Sequence, residues 1–286
     1  MTTRYYIVAD HLFAVEADQN LFSLMNNYEP FRTETQKESS PLFTMTAAEG
    51  PSIDYTEEIR QNEEGQEIIC GHTEQDEPVF ELRWKENTVG WLLCSADYRT
   101  IRLNLSGYLQ KAALDNSLMI VFALASAVHD TVLFHSAVIG FEGRGYMFLG
   151  RSGTGKSTHA SLWKRFIEGA ELINDDNPAV RILPDGTAMV YGTPWSGKTP
   201  CYRNVSCPIG GIVLLRQAPY NKIRKLTGIE AYAAVVPGIS GKRWDRTIAD
   251  GLHKTENTIV GRVPVWQLEC LPDEAAARLC KDSIVI

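Results

Sequence analysis

"GRSGTGKST", residues 150–158, fits the pattern G-x-x-x-x-G-K-[ST]. In a loop of this kind, successive backbone N–H groups point at phosphate oxygens, and the glycines let the backbone come close to them. The lysine reaches the β- and γ-phosphates, and the hydroxyl that follows it lies on Mg²⁺. An ordinary glycine-rich turn is the alternative, and the match favours a nucleotide site. The residues assigned to the nucleotide are Gly150, Ser152, Gly153, Thr154, Gly155, Lys156, Ser157 and Thr158.

The segments on either side of the loop support this prediction. Residues 146–149, YMFL, are predicted to form a buried strand. After the loop, apolar side chains recur at helical spacing from Ala160 to Ile167, and Gly169 is suited to end the helix. A strand, a glycine loop and a helix in this order aim the N-terminus of the helix at an anion.

Two adjacent carboxylates follow the predicted helix in the segment ELINDDNPAV, residues 171–180. A strand over residues 171–174 would deliver Asp175 and Asp176 to its carboxyl end, where open α/β sheets bind ligands. Phosphoryl transfer needs an acid that holds Mg²⁺ and a group that orients or deprotonates the attacking hydroxyl. The two carboxylates are candidates for these tasks. Solvated turn residues ahead of Pro178 are the alternative.

Other candidate side chains carry a weaker signal. His135 lies between Phe134 and Ser136 in an apolar stretch that is predicted to be a strand, and on this pattern alone a buried core histidine is favoured. Cations that could stabilise a transferring phosphoryl group occur in two later polar segments, and no role is assigned to them. They are Lys198, Arg203, Arg243 and Arg246.

The composition is that of an ordinary soluble protein, with 44% hydrophobic and 22% charged residues. A net charge of −7 disfavours a nucleic-acid partner, because binding to duplexes relies on basic residues that face phosphates. The longest apolar run, Leu118–Val128, is too short to span a bilayer, so a buried helix and no membrane partner are expected. Six cysteines form no CxxC pair or zinc spacing, and the first residues show no export signal. A cytoplasmic protein with reduced thiols is therefore expected.

The pattern changes near Gln110. Residues 1–108 predict a mainly antiparallel β-module with one solvated face, in which the acidic segment 57–77 carries a turn signal at Glu64-Gly65. Residues 109–286 predict a compact α/β domain that begins with a core helix. The predicted strands of the β-module cover residues 4–9, 11–17, 41–47, 78–84, 88–95 and 100–106. Those of the second domain cover residues 131–140, 171–174, 179–183, 188–191, 211–215 and 263–268, with helices at 243–253 and 273–280.

Three segments in succession, "FHSAVIG", "GRSGTGKST" and "LINDD", resemble the catalytic domain of HPr kinase/phosphorylase. Related small kinases of peptide-maturation clusters, such as lasso-peptide precursor kinases, follow the same plan, and the fold is shared with ATP-dependent phosphoenolpyruvate carboxykinase. The resemblance covers roughly residues 131–215. It implies a P-loop nucleotide domain of that type, preceded here by the β-module.

The resemblance also implies roles for single residues. His135 matches the active-site histidine ahead of the loop, and Lys156 is the catalytic lysine of the loop. Asp175 matches the base toward the acceptor hydroxyl, and Asp176 matches the carboxylate that helps Ser157 to hold the metal. The reverse assignment within the Asp pair is left open.

Two departures from the family bear on the acceptor. An E-x-R-G-x-G segment follows these strands in the bacterial HPr enzymes, and "GTPWSGKTPCYRN", residues 192–204, takes its place here. The N-terminal module also differs from that of the family. HPr is therefore not favoured as the acceptor.

The expected function is that of a cytoplasmic ATP- and Mg²⁺-dependent kinase that phosphorylates a hydroxyl, the favoured acceptor being a serine in a peptide or small protein. The alternatives are a small-molecule kinase, a carboxykinase-like enzyme and a non-catalytic regulatory nucleotide-binding module. Homo-oligomerisation is left open. The β-module is expected either to recognise the acceptor by edge pairing with an extended peptide or merely to cover apolar surface.

Overall fold

The computed structural model divides the chain into two compact units, Met1–Ala125 and Ser126–Ile286. Each unit is built on its own nine-stranded sheet, so the fold is mixed α/β. The structure describes residues 1–34, 40–63, 65–197 and 199–285.

The first unit consists mainly of strands. Its strands are β1 (Thr2–Val8), β2 (His11–Ala17), β3 (Arg32–Thr33), β4 (Thr44–Glu49), β5 (Thr56–Glu63), β6 (Gln66–His72), β7 (Pro78–Trp84), β8 (Asn87–Cys94) and β9 (Thr100–Leu105). The helices that begin in it are α1 (Gln19–Ser23) and α2 (Gln110–Ser126).

The sheet of the first unit has the order β3-β1-β2-β4-β9-β8-β7-β6-β5. Its neighbours are antiparallel except at β2–β4 and β4–β9, which confirms the prediction of a mainly antiparallel module. The acidic segment 57–77, for which the sequence predicted only a turn, forms most of the edge hairpin β5–β6. Of that predicted turn, Glu64 lies outside the described residues, and Gly65 has the left-handed φ of +84° that such a turn needs.

Aromatic side chains form the core of the first unit. Phe13 stacks on Tyr6 from the neighbouring strand and on Phe43, with ring centroids 5.5 and 4.9 Å apart. Phe122 of α2 meets Phe13 edge to face at 6.3 Å. Because its side chains pack on this sheet, α2 belongs with the first unit, whereas the sequence placed the domain boundary at 108/109.

The stretch Gln110–His129 is long and apolar enough to cross a membrane, and 61% of its most apolar part is buried inside the protein. Burial of this kind is typical of a core helix in a soluble protein, as the sequence predicted.

The second unit combines strands with helices. Its strands are β10 (Thr131–Leu133), β11 (Ser136–Phe141), β12 (Arg144–Leu149), β13 (Glu171–Asp176), β14 (Ala179–Ile182), β15 (Ala188–Tyr191), β16 (Ser206–Gln217), β17 (Lys222–Leu226) and β18 (Val265–Cys270). Its helices are α3 (Lys156–Phe166), α4 (Gly228–Val235), α5 (Arg246–Arg262) and α6 (Glu274–Ile284).

The sheet of the second unit has the order β10-β14-β15-β16-β12-β11-β13, and β18 joins it by pairing with β16 and β17. Strands β12, β16 and β18 are parallel, and the other pairings are antiparallel. Helix α3 packs on β11, β12 and β13 through a core that includes Phe148 and Trp163. The strands and helices predicted for this part of the chain are present with shifted ends, while β17 and α4 were not predicted.

One predicted strand is divided in the structure. Residues 131–140 form β10 and β11, and His135 lies between them rather than within a strand. The reason is a change of partner, because β10 pairs with β14 whereas the next residues meet the segment around Gly238. Phe134 bridges to Ile239, and the N–H of His135 donates to the carbonyl of Gly238 at 2.7 Å.

Candidate phosphate-binding site

The glycine loop, residues 150–155, connects β12 to α3, in the strand–loop–helix order that the sequence predicts. Gly153 and Gly155 adopt left-handed φ angles of +76° and +103°, which L side chains rarely tolerate. A Cβ added to Gly150 would lie 2.9 Å from Oγ1 of Thr154. The curl of the loop therefore depends on glycine at these positions.

Lys156 opens helix α3 at the end of this loop. Its side chain is buried, and its Nζ donates to the carbonyl of Gly150 at 3.1 Å. No side chain caps the helix at Gly155, and Ser157 and Thr158 in the first turn are exposed. Uncapped backbone N–H groups at a helix N-terminus attract anions, so this turn is suited to phosphate.

A contact that the sequence did not predict holds the outside of the loop. Gln217, the last residue of β16, donates from Nε2 to the carbonyl of Gly153 at 3.2 Å. The two residues are 64 positions apart, and no local pattern indicates that they meet. The parallel pairing of β16 with β12 brings Gln217 to the carboxyl end of these strands, where the loop begins.

The register of β12, β11 and β13 brings His135 and Asp176 to this same end of the sheet. Ser136 lies opposite Leu149, which immediately precedes the loop, and opposite Asp176 on its other side. Neighbouring strands are about 4.8 Å apart, so Asp176 lies roughly 10 Å from the end of β12. Nδ1 of His135 is 3.4 Å from Oδ1 of Asp176, and both side chains are partly exposed, at 41% and 32%. Asp176 also has the unusual φ of +153°.

Asp175 precedes Asp176 in β13, so its side chain lies on the opposite face of the sheet from that of Asp176. Ala137 is opposite both Phe148 and Asp175, and directly paired residues share a face. Phe148 packs on Trp163 of α3, with ring centroids 5.6 Å apart, so Asp175 is on the face that α3 covers. Asp175 is only 3% exposed, and its Oδ2 finds no hydrogen-bond partner within the described part of the chain.

A buried polar network that the sequence did not predict fixes the chain around the two carboxylates. The amide of Asn174 donates to Oγ1 of Thr193 at 3.1 Å and to the carbonyl of Trp195 at 3.2 Å, and its own oxygen accepts from the N–H of Asn177 at 3.0 Å. The side chain of Asn177 donates to Oδ2 of Asp176 at 2.9 Å. Residues of the loop that replaces E-x-R-G-x-G thus position the end of β13.

The residues present fit Mg²⁺ and a nucleotide. Magnesium is usually held by one or two protein oxygens together with substrate phosphates and water, so a dedicated cage is not required. No group of three His, Cys, Asp or Glu side chains forms such a cage among the described residues. The orphaned Oδ2 of Asp175 on the α3 face, together with the hydroxyl of Ser157, offers the donors that the ion prefers.

Two of the unassigned cations come from the loop at residues 192–204. Lys198 lies outside the described residues. Arg203 donates to the carbonyl of Leu172 and to Glu171, both at 2.8 Å, at the amino end of β13. It is therefore bound at the opposite end of the strand from the carboxylates.

The other two cations flank the start of α5. Arg243 donates to the fully buried carboxylate of Glu256 at 2.6 Å. Arg246 is 93% exposed and lies 4.0 Å from Asp250 of its own helix. Arg243 thus has a structural partner, and Arg246 is a solvated surface residue.

His159, in the second turn of α3, is a core histidine. Burial lowers its pKa to about 4, so the ring is neutral at physiological pH. The indole N–H of Trp163 donates to its Nε2 at 3.2 Å. Its role is to pack α3 against the sheet.

No protein-family model matches the chain, and no curated protein matches it. Among solved structures, the HPr(Ser) kinase/phosphatase from Coxiella burnetii is similar, with 12% sequence identity and a TM-score of 0.32. The similarity covers 52% of this chain and 86% of that one. The resemblance to lasso-peptide precursor kinases stays a prediction.

Proposed function

We propose that this protein is a kinase that uses ATP and Mg²⁺ to phosphorylate a hydroxyl, the acceptor being a serine in a peptide or small protein. One observation supports the proposal most. The glycine loop, the His135–Asp176 pair and the buried Asp175 all lie at the same end of the second sheet. Together they offer a phosphate cradle, a proton acceptor and a metal-binding oxygen. These are the parts that phosphoryl transfer needs.

The glycine loop would bind the nucleotide through its backbone and through Lys156. The N–H groups of residues 150–157 would donate to the phosphates, and the Lys156 ammonium would reach the β- and γ-oxygens. A loose transition state spreads negative charge over the γ-phosphoryl oxygens, so fixed positive groups at this position stabilise it.

The geometry favours the reverse of the assignment that the family resemblance implies for the two carboxylates. Asp175 lies on the α3 face, and its buried Oδ2 has no hydrogen-bond partner among the described residues, so it suits the metal together with Ser157. Asp176 is partly exposed and held between His135 and Asn177, so it suits the acceptor hydroxyl. When bound, Mg²⁺ neutralises charge that develops between the β- and γ-phosphates.

In the transfer step, Asp176 would accept the proton of the acceptor hydroxyl. His135 and Asn177 contact separate oxygens of this carboxylate and hold it in one orientation. A base must lie within hydrogen-bond reach of the proton that it removes, and a half-exposed carboxylate next to the phosphate loop can meet a side chain that arrives from solvent.

The test is an assay of phosphate transfer by the full chain. ATP with a radioactive γ-phosphate, Mg²⁺ and an array of serine, threonine and tyrosine peptides are expected to give label on serine, and Lys156→Ala is expected to give much less label at an ATP concentration below saturation. ATP-dependent release of CO₂ from a small carboxylic acid would instead indicate a carboxykinase-like enzyme. Tight ATP binding with neither hydrolysis nor transfer would indicate a regulatory module.

A further inference from the structure

The sheet of the first unit ends in two very different edges. At one end β3 is two residues long, and at the other β5 is eight residues long. Strand β5 pairs with β6 on one side, and no described strand pairs with its other side. A long edge strand presents a row of unpaired N–H and C=O groups that another extended chain can join.

The open edge is accessible along its length. Residues 56–62 of β5 are exposed apart from Ile59, which is partly buried. A register shift between Glu57 and Ile59 interrupts the pairing with β6, and the pairing is regular from Ile59 to the hairpin turn. The regular part is long enough to accept several backbone hydrogen bonds from an added strand.

The charge of the chain is concentrated beside this edge. Residues 54–77 contain nine Asp and Glu residues against the single Arg60, a net charge of −8, whereas the whole chain carries −7. Arg60 is engaged within the hairpin, because its guanidinium pairs with Glu57 at 2.7 Å and with Glu67 at 3.3 Å. The one Lys or Arg side chain of the segment is thus occupied, whereas the exposed carboxylates among the described residues are those of Asp54, Glu57, Glu58, Glu74 and Asp76.

The negative charge around β5 limits which extended chain can pair with its open edge. Pairing with a second copy would bring two segments of net charge −8 side by side, and repulsion between like charges opposes that pairing. A basic segment would meet the exposed carboxylates of Glu57 and Glu58 on the strand and the net negative charge of the residues around it. We propose that the β5 edge captures an extended basic peptide by strand addition, with backbone hydrogen bonds for affinity and the carboxylates for selection. This interaction involves no nucleotide, so it stands or fails separately from the proposed kinase activity.

The experiment measures binding of labelled peptides to the full chain by fluorescence anisotropy without ATP. The probe is an eight-residue peptide, matched to β5, with lysine and valine in alternation. Two comparison peptides replace lysine by glutamate or carry N-methyl groups on alternate amides. The lysine peptide is expected to bind and the glutamate peptide not to bind. N-methylation is expected to weaken binding at least about tenfold, because several backbone donors are lost.

Matched variants locate the site. Glu57→Gln with Glu58→Gln is expected to weaken the lysine peptide about five- to tenfold, since two opposite charges are lost from the strand itself. The control, Glu142→Gln with Glu168→Gln, removes the same charge from exposed positions of the second unit and is expected to leave the affinity unchanged. Equal effects of both pairs, equal binding of the N-methylated peptide, or no binding of the lysine peptide would each overturn the inference.

Discussion

The two sheets have the same number of strands and bury very different side chains. The buried Asp, Glu, Lys and Arg residues among those described are Lys156, Asp175 and Glu256, and all three lie in the second unit. Burying a charge costs several kcal/mol unless it is paired, so a sheet keeps one only for a structural or chemical reason. The first unit keeps its charges on the surface and at an open edge. Chemistry is therefore expected in the second unit, and recognition of a partner at the open edge of the first.

Topology explains part of this difference. The second sheet contains the parallel strands β12, β16 and β18, and its glycine loop leaves the carboxyl end of β12 toward a helix N-terminus. Ligand sites of open α/β sheets form at such ends. The first sheet also has three parallel neighbours, β2, β4 and β9, but the helix that follows β2 has its N-terminus capped by the side chain of Asp18, and no glycine loop of this type precedes it. Among the described strands, β5 is paired on one side only.

The largest expected effect comes from Asp176→Asn. The amide keeps the shape of the side chain but cannot accept a proton, so phosphate transfer should fall by about 10²–10⁴. Mg·ATP affinity, measured by calorimetry, should stay within a few-fold. Unchanged transfer would remove Asp176 from the mechanism and leave the second sheet without an identified base.

Lys156→Ala is expected to have the next largest effect. A charge-assisted hydrogen bond contributes about 1.5–3 kcal/mol, so ATP affinity should fall roughly tenfold to a hundredfold. Calorimetric titration with Mg·ATP measures this, with Lys164→Ala, an exposed lysine on the same helix, as the control. Equal affinity for the Lys156 variant and the wild type would end the phosphate-cradle interpretation.

Asp175→Asn tests whether Asp175 is a metal ligand or has only a structural role. The half-saturating Mg²⁺ concentration for transfer is expected to rise about tenfold, because a charged ligand contributes more than a neutral one. The free energy of unfolding should not fall, since the variant replaces a buried carboxyl whose Oδ2 has no hydrogen-bond partner among the described residues. A large loss of stability in urea with an unchanged Mg²⁺ requirement would mean that Asp175 is structural.

The smallest effect is expected in the first unit, at Ser117 of α2. This buried hydroxyl, like Oδ2 of Asp175, has no hydrogen-bond partner among the described residues. Ser117→Ala should raise the free energy of unfolding by about 1 kcal/mol, because alanine favours the helix and no polar group is left unpaired. Urea denaturation measures the gain, and ATP turnover should not change. A loss of turnover would contradict the contrast between the two sheets.

The glycine loop and the acid pair could be predicted because each is coded by residues adjacent in sequence. The break at His135 could not, since it depends on Gly238, more than a hundred positions away. The network of Asn174 with Thr193 joins residues 19 apart across a loop without a regular pattern. The strands β5 and β6 were missed because their many carboxylates obscure the alternation that marks a strand. Tertiary partners, rather than local propensity, decided each of these.

The hydrogen bond from Lys156 to the carbonyl of Gly150 links the two ends of the loop. An ammonium has three N–H donors, so a bond to this carbonyl is compatible with contacts to phosphate oxygens. Fixing a lysine side chain costs up to about 2 kcal/mol of rotamer entropy. Because the side chain is already buried and hydrogen-bonded, most of that cost falls on folding and not on ligand binding. The lysine is thus preorganised, and the loop loses less conformational freedom on binding a ligand than a solvated lysine would.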